Sequence, residues 1–192
     1  MKPNANPLAA AVSQYVMKTA LPLGIYFIAE YLVSVWSTGN VLLMMVRLMM
    51  AAATPVALFF LLRTLRDRLL GGYIRGRQAW LCGVQTMIFA ALIEAAFIYI
   101  YNEFLVPDNL MQMQQAALAQ YDASRAALEA MPAAGGTGGL LDTMNALADE
   151  LRNAPVPTAI EAAVSQLSND FMAGILLMFA VAPMVRCTKT ES

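Results

Sequence analysis

Four apolar stretches decide what this chain can fold into: residues 16–36, 41–62, 79–101 and a shorter 171–185. A bilayer core about 30 Å thick takes about 20 apolar residues of helix. In hydrocarbon the backbone must satisfy its own hydrogen bonds, so each stretch is expected as a transmembrane helix. The expected fold class is an all-α membrane protein with four transmembrane helices and a helical extracytoplasmic insert between the third and fourth. Apolar residues make up 59% of the 192, above the roughly 45–50% of soluble domains.

Several functions lose their footing in the composition. The net charge of −1 gives no electrostatic basis for binding nucleic acid. There is no histidine, which removes the commonest metal ligand and the commonest general base. Cys82 and Cys187 offer neither a disulfide framework nor zinc spacing, and are expected as apolar fillers. No cofactor and no catalytic residue is expected. The N-terminus lacks the basic start and clean apolar core of a cleavable signal, so residues 16–36 are read as a retained helix. Residues 7–15 would be its amphipathic lead-in along the inner surface.

Charge sets the expected orientation. Basic residues mark the cytoplasmic side of a membrane protein. Between the second and third spans lie Arg63, Arg66, Arg68, Arg75 and Arg77, with Asp67 the one acid among them. Lys2, Lys18, Arg186 and Lys189 accompany the two chain ends. Residues 102–170 instead carry Glu103, Asp108, Asp122, Glu129, Asp142, Asp149, Glu150, Glu161 and Asp170, opposed by Arg125 and Arg152. Both termini are therefore expected in the cytoplasm, and the acidic segment outside. The chain divides into 1–101, the lead-in with three spans; 102–170, the acidic helical insert; and 171–192, the fourth span with a short tail.

The insert has helical periodicity. Leu110, Gln114, Ala117, Tyr121, Ser124, Leu128 and Met131 follow a 4-3-4-3 spacing. Leu140, Met144, Leu147 and Leu151 repeat it, and so do Ile160, Val164, Leu167 and Phe171. Each set predicts one apolar stripe, suited to a hairpin or small bundle. Residues 132–139, and then Pro155 and Pro157, are expected to break the chain. The last of these helices should run on into the fourth span. Gly135-Gly136-Thr137-Gly138-Gly139 lacks the Lys-Ser/Thr and preceding strand of a phosphate loop, and is read as a flexible linker.

Glu30, Arg47 and Glu94 fall inside the first three spans, where a charge is costly and needs a partner or a polar cavity. Glu30 and Arg47 are nearly equidistant from the first turn, and Arg47 and Glu94 from the arginine-rich connection. Counting back about 16 residues from Arg186 reaches Asp170. At about 1.5 Å per residue, all four sit about 24 Å above the inner boundary. One reading is a buried ion cluster with Arg47 between carboxylates, since its fork can serve two. Another is a cation or proton site, or a polar seat for a headgroup. A third is that the groups snorkel outward.

Gly71-Gly72-Tyr73-Ile74-Arg75-Gly76-Arg77-Gln78-Ala79-Trp80 leads into the third span, which closes with Ile98-Tyr99-Ile100-Tyr101-Asn102-Glu103-Phe104-Leu105-Val106-Pro107. With the helical insert and Ala173-Gly174 in the last span, the chain resembles the domain of unknown function 4199 family. Those are small four-helix inner-membrane proteins of Bacteroidetes-type bacteria. The resemblance implies a location in the bacterial inner membrane and no established activity. It also implies an envelope-assembly partner, in particular a membrane-associated glycosyltransferase. The expected function is a non-enzymatic accessory or scaffold subunit, binding a protein partner or a second copy through its membrane helices and insert. Small residues such as Ala91, Ala95 and Gly174 suit close helix approach. The alternative is a small transporter or channel using the charged layer. No internal repeat supports it, and Pro22, Pro55 and Pro183 do not form a repeat pair.

Overall fold

A computed structural model describes residues 7–37, 40–129 and 137–185. Among the described residues six α-helices follow one another: α1 (Pro7–Trp36), α2 (Val41–Leu69), α3 (Gly76–Ile100), α4 (Asn109–Glu129), α5 (Thr137–Asn153) and α6 (Ala159–Val185). A single π-helical turn, Tyr101–Leu105, extends α3, and no strand occurs among the described residues. Four helical segments among the described residues are long and apolar enough to cross a bilayer: Ala10–Trp36, Val41–Leu69, Gly76–Leu105 and Ala159–Val185. The chain is built as a multi-pass membrane protein.

The helix boundaries follow local chemistry. Pro7 stands at the first helical position of α1, where its missing N–H costs nothing. With no breaker before Tyr15, residues 7–15 form the first turns of α1 and not a separate surface helix. Val12 and Tyr15 pack against the core, and the Tyr15 hydroxyl donates to the Leu61 carbonyl (3.1 Å). The Asn40 side chain caps α2 by accepting from the amides of Leu42 and Leu43 (3.0 and 3.3 Å). Helix α2 then continues seven residues beyond the expected end of its span. Leu62 and Leu65 stay buried in these last turns and hold them helical. Gly71 and Gly72, with φ of 63° and 85°, stop it. Arg63, Arg66 and Arg68 thus belong to a helix and not to a loop. Arg75 caps α3 and Arg77 lies in its first turn.

Helix α3 is the hub, packed between α1 and α6, with α2 leaning on α1 and on α6. Met87 and Leu58, with Met178 and Val185, form the main core, and fully buried Ile74 plugs its basic end. Gly24, Gly83 and Gly174 let helix backbones approach. Ala91, Ala95 and Gly174 are all buried as well. The α2 span is 11% buried against 44% for that of α3. Leu42, Met45, Leu48 and Met49 stand on its outer surface.

Helices α4 and α5 pack chiefly on each other as a hairpin. Gln114 donates to the carbonyls of Leu151 and Ala154 (2.8 and 3.0 Å), and Arg152 bridges Asp122 and Asp149 (2.7 and 3.1 Å). Leu110, Gln114, Ala117 and Tyr121 are half-buried along the α4 stripe, whereas Ser124 is exposed. Among the described side chains of α5, Ala148 is buried and Leu147 is exposed. Thr137, Gly138 and Gly139 are the first turn of α5, so the expected linker ends before Thr137. A first turn has unsatisfied amides in any case and tolerates glycine there. Gly135, Gly136, Pro132 and Met131 lie outside the described residues, as do Lys2, Arg186, Cys187 and Lys189; the side chains of Leu128, Leu140 and Met144 are likewise not described.

Helix α6 runs unbroken from the loop after α5 into the fourth span, so the 170/171 boundary falls inside it. Thr158 and Glu161 cap its start reciprocally: the Thr158 amide donates to Glu161 Oε2 (2.8 Å) and the Glu161 amide to Thr158 Oγ1 (3.3 Å). Its packed face is the expected one only in part: Leu167 packs against the small cluster of Ala95, Ile98 and Ala163. Ile160, Val164 and Phe171 are exposed, whereas Ala159, Ala163 and Gly174 are buried. Small residues bring α6 close to α3; Ile160, Val164 and Phe171 face outward, where lipid is as apolar as leucine, while Met178, Val181 and Val185 pack in the core.

Candidate functional site

Near the hairpin end of the bundle, α1, α2, α3 and α6 enclose a cavity of about 190 Å³. Helical spacing sets its walls. Phe27, Glu30, Tyr31 and Ser34 share one face of α1, and Arg47, Ala51 and Thr54 one face of α2. Met87 and Glu94 come from α3, and Gln166, Asp170, Ala173 and Leu177 from α6. The four charged residues singled out by depth therefore line one space, each supplied by a different helix.

Their pairing differs from the expected arrangement. The Glu94 and Asp170 carboxyls lie within side-chain hydrogen-bonding reach of each other. Glu94 is 3% exposed, and Gln166 Nε2 donates to Asp170 Oδ1 (3.0 Å). Asp170 Oδ2 is buried without a hydrogen-bond partner among the described residues. Arg47 is not seated between carboxylates. Its charge acts on Glu30 through space, yet it forms no ion pair within 4.0 Å among the described residues. The reason is the lean of α2: residues 41–53 contain no buried side chain, so Arg47 stands at the rim.

One polar network escaped the sequence reading. The Asn102 amide donates to the Ile98 carbonyl (2.8 Å) and the Tyr31 hydroxyl (3.0 Å). Asn109 donates to Asn102 Oδ1 (2.8 Å) and the Tyr31 hydroxyl (3.3 Å). Both asparagines are 3% exposed. The π-helical turn re-aims Asn102 into the bundle, a recurrent use of such turns. Tyr31 also lines the cavity, so the foot of the hairpin and the cavity wall share a side chain. The available signal was a lone Asn in the Ile-Tyr-x-x-Phe-x-x-Pro segment.

At the opposite end, Arg66 donates to the Val185 carbonyl (3.1 Å), the last residue of α6, and pairs with Asp67 (2.7 Å). A cation at a helix C-terminus opposes its negative dipole end. Arg63 approaches the same Asp67 (3.8 Å). Cys82 is buried as a free thiol. No group of three or more metal-ligating side chains occurs among the described residues.

No curated protein and no solved structure matches the chain. One family model does, and its match spans both the cavity and the asparagine network. Because residues 18–186 match the family described as protein of unknown function (DUF4199), the chain belongs to that family.

Proposed function

We propose that this is a non-enzymatic accessory or scaffold subunit of the bacterial inner membrane, with both termini in the cytoplasm and the α4–α5 hairpin outside. The observation that carries this reading is the hairpin itself. It packs chiefly on its own two helices, is tied to the bundle at its foot by Asn102, Asn109 and Tyr31, and offers its flanks to a partner. The orientation rests on charge: five arginines gather where α2 meets α3, and the acids gather on the hairpin at the other end of α3. The partner is a protein or a second copy of this chain. Cross-linking in native membrane from a Cys placed at Asp122, followed by mass spectrometry, tests this. A stoichiometric adduct at the hairpin is the expected result; a hairpin that yields no protein adduct refutes it.

The charged cavity favours a second reading, a small transporter or channel. Ion flux into liposomes holding the purified protein alone would establish that reading. A sealed vesicle with no flux would remove it.

A further inference from the structure

The cavity has two electrical poles. Its inner wall carries Glu94 and Asp170, with Glu30 beside them, and its rim carries Arg47. Glu94 is 3% exposed, and the side chain it meets is another carboxyl. Two carboxylates bring no donor between them, so contact there calls for a shared proton or for a donor carried in by a ligand. Asp170 Oδ2 is buried and, apart from a proton shared with Glu94, meets no donor among the described residues. Phe27 and Tyr31 line the same space.

A bare metal cation would satisfy the acids but would meet the guanidinium of Arg47 in the same cavity. A zwitterion uses both poles. The ammonium goes inward to the carboxylates, and an anionic group stays at the rim with Arg47, whose planar fork suits phosphate. The volume, about 190 Å³, admits a headgroup of a few heavy atoms. The mouth lies between two membrane-spanning helices. Ala51 of α2 and Ala173 of α6 line the cavity and are both exposed. These two helices are tied at their far ends, where Arg66 meets Val185. An opening between α2 and α6 would face lipid in a membrane-spanning bundle.

We propose that this cavity is a binding site for the phosphoethanolamine headgroup of a membrane phospholipid, with the ammonium on Glu94, Asp170 and Glu30 and the phosphate on Arg47. The headgroup belongs to the leaflet on the hairpin side. The site is independent of the subunit reading, because lipid retention and protein cross-linking are separate measurements.

The test is lipid retention by the purified full-length protein. Membranes of equal parts phosphatidylethanolamine, phosphatidylcholine and phosphatidylglycerol are solubilised, the protein is isolated, and its retained lipid is quantified by mass spectrometry. The expected result is a several-fold enrichment of phosphatidylethanolamine over the bath. Replacing it by its mono- and dimethyl derivatives should lower the enrichment stepwise, as N–H donors are lost. Glu94→Gln with Asp170→Asn should abolish it, and Arg47→Ala should reduce it. Ala173→Leu changes no charge and fills the mouth, so it keeps the test decisive if the acidic variants fail to fold; it too should abolish enrichment. Retained lipid that mirrors the bath, or preference for phosphatidylglycerol, overturns the proposal. So does enrichment that survives Ala173→Leu or is indifferent to N-methylation.

Discussion

Gly24→Ala should loosen the contact between α1 and α3. A Cβ on Gly24 would lie 2.9 Å from Ile93 Cβ, 3.0 Å from its Cγ2 and 3.2 Å from the Ala90 carbonyl oxygen. Carbon atoms in good contact sit about 3.5–4.0 Å apart. The shortfall is therefore a sizeable fraction of an ångström, against atoms that cannot swing away. Ile93 is stiff at χ1 within a helix, and its Cβ moves only with the backbone. Overpacking of this kind costs about 1–3 kcal/mol. Alanine offsets about 0.5–1 kcal/mol by its better helix propensity. From the middle of each range the net loss is about 1.2 kcal/mol, or about eightfold in the folded-to-unfolded ratio. Gly83→Ala is the internal control. There the added Cβ meets the Sδ and Cε of Met178, the mobile end of an unbranched side chain beside an outward-facing groove lined by Trp80 and Phe179. Its loss should be the smaller of the two. Reversible unfolding in mixed micelles measures both. A Gly24→Ala protein as stable as the parent, or less affected than Gly83→Ala, would refute the argument from close backbone approach.

Three further outcomes are expected. Asn102→Ala should cost about 1–3 kcal/mol, because Asn109 and Tyr31 lose a buried partner; hydrogen exchange at residues 109–113 should quicken, and unchanged protection there would count against the tie at the hairpin foot. Arg66→Ala should cost about 1.5–3 kcal/mol by removing a charge-assisted bond to the end of α6, whereas Arg68→Ala on the exposed side should leave thermal stability within about 0.5 kcal/mol; equal effects would deny Arg66 its capping role. For orientation, a Cys at Gly71 should resist an impermeant maleimide in intact cells and one at Thr143 should label, and the reverse pattern would invert the proposed topology.

What the sequence determined alone is what depends on distance along a helix. Rise per residue is local, so hydropathy located the four spans, and counting from the turns brought Glu30, Arg47, Glu94 and Asp170 to one level. The continuity of α6 was legible for the same reason, since no Pro interrupts the chain between Ala159 and Ala182. Tertiary structure decided rotation and tilt. Leu147, Ile160, Val164 and Phe171 marked stripes by size and spacing, yet Ala148, Ala159 and Ala163 are the residues that pack. Hydropathy cannot separate a lipid-facing leucine from a packed one, because in a bilayer both surroundings are equally apolar. The lean of α2 left Arg47 at a rim, and the close packing of α6 on α3 brought Glu94 near Asp170, a pairing that depth cannot supply. A π-helical turn aimed Asn102 at Tyr31, and only the folded chain joins residues 71 positions apart.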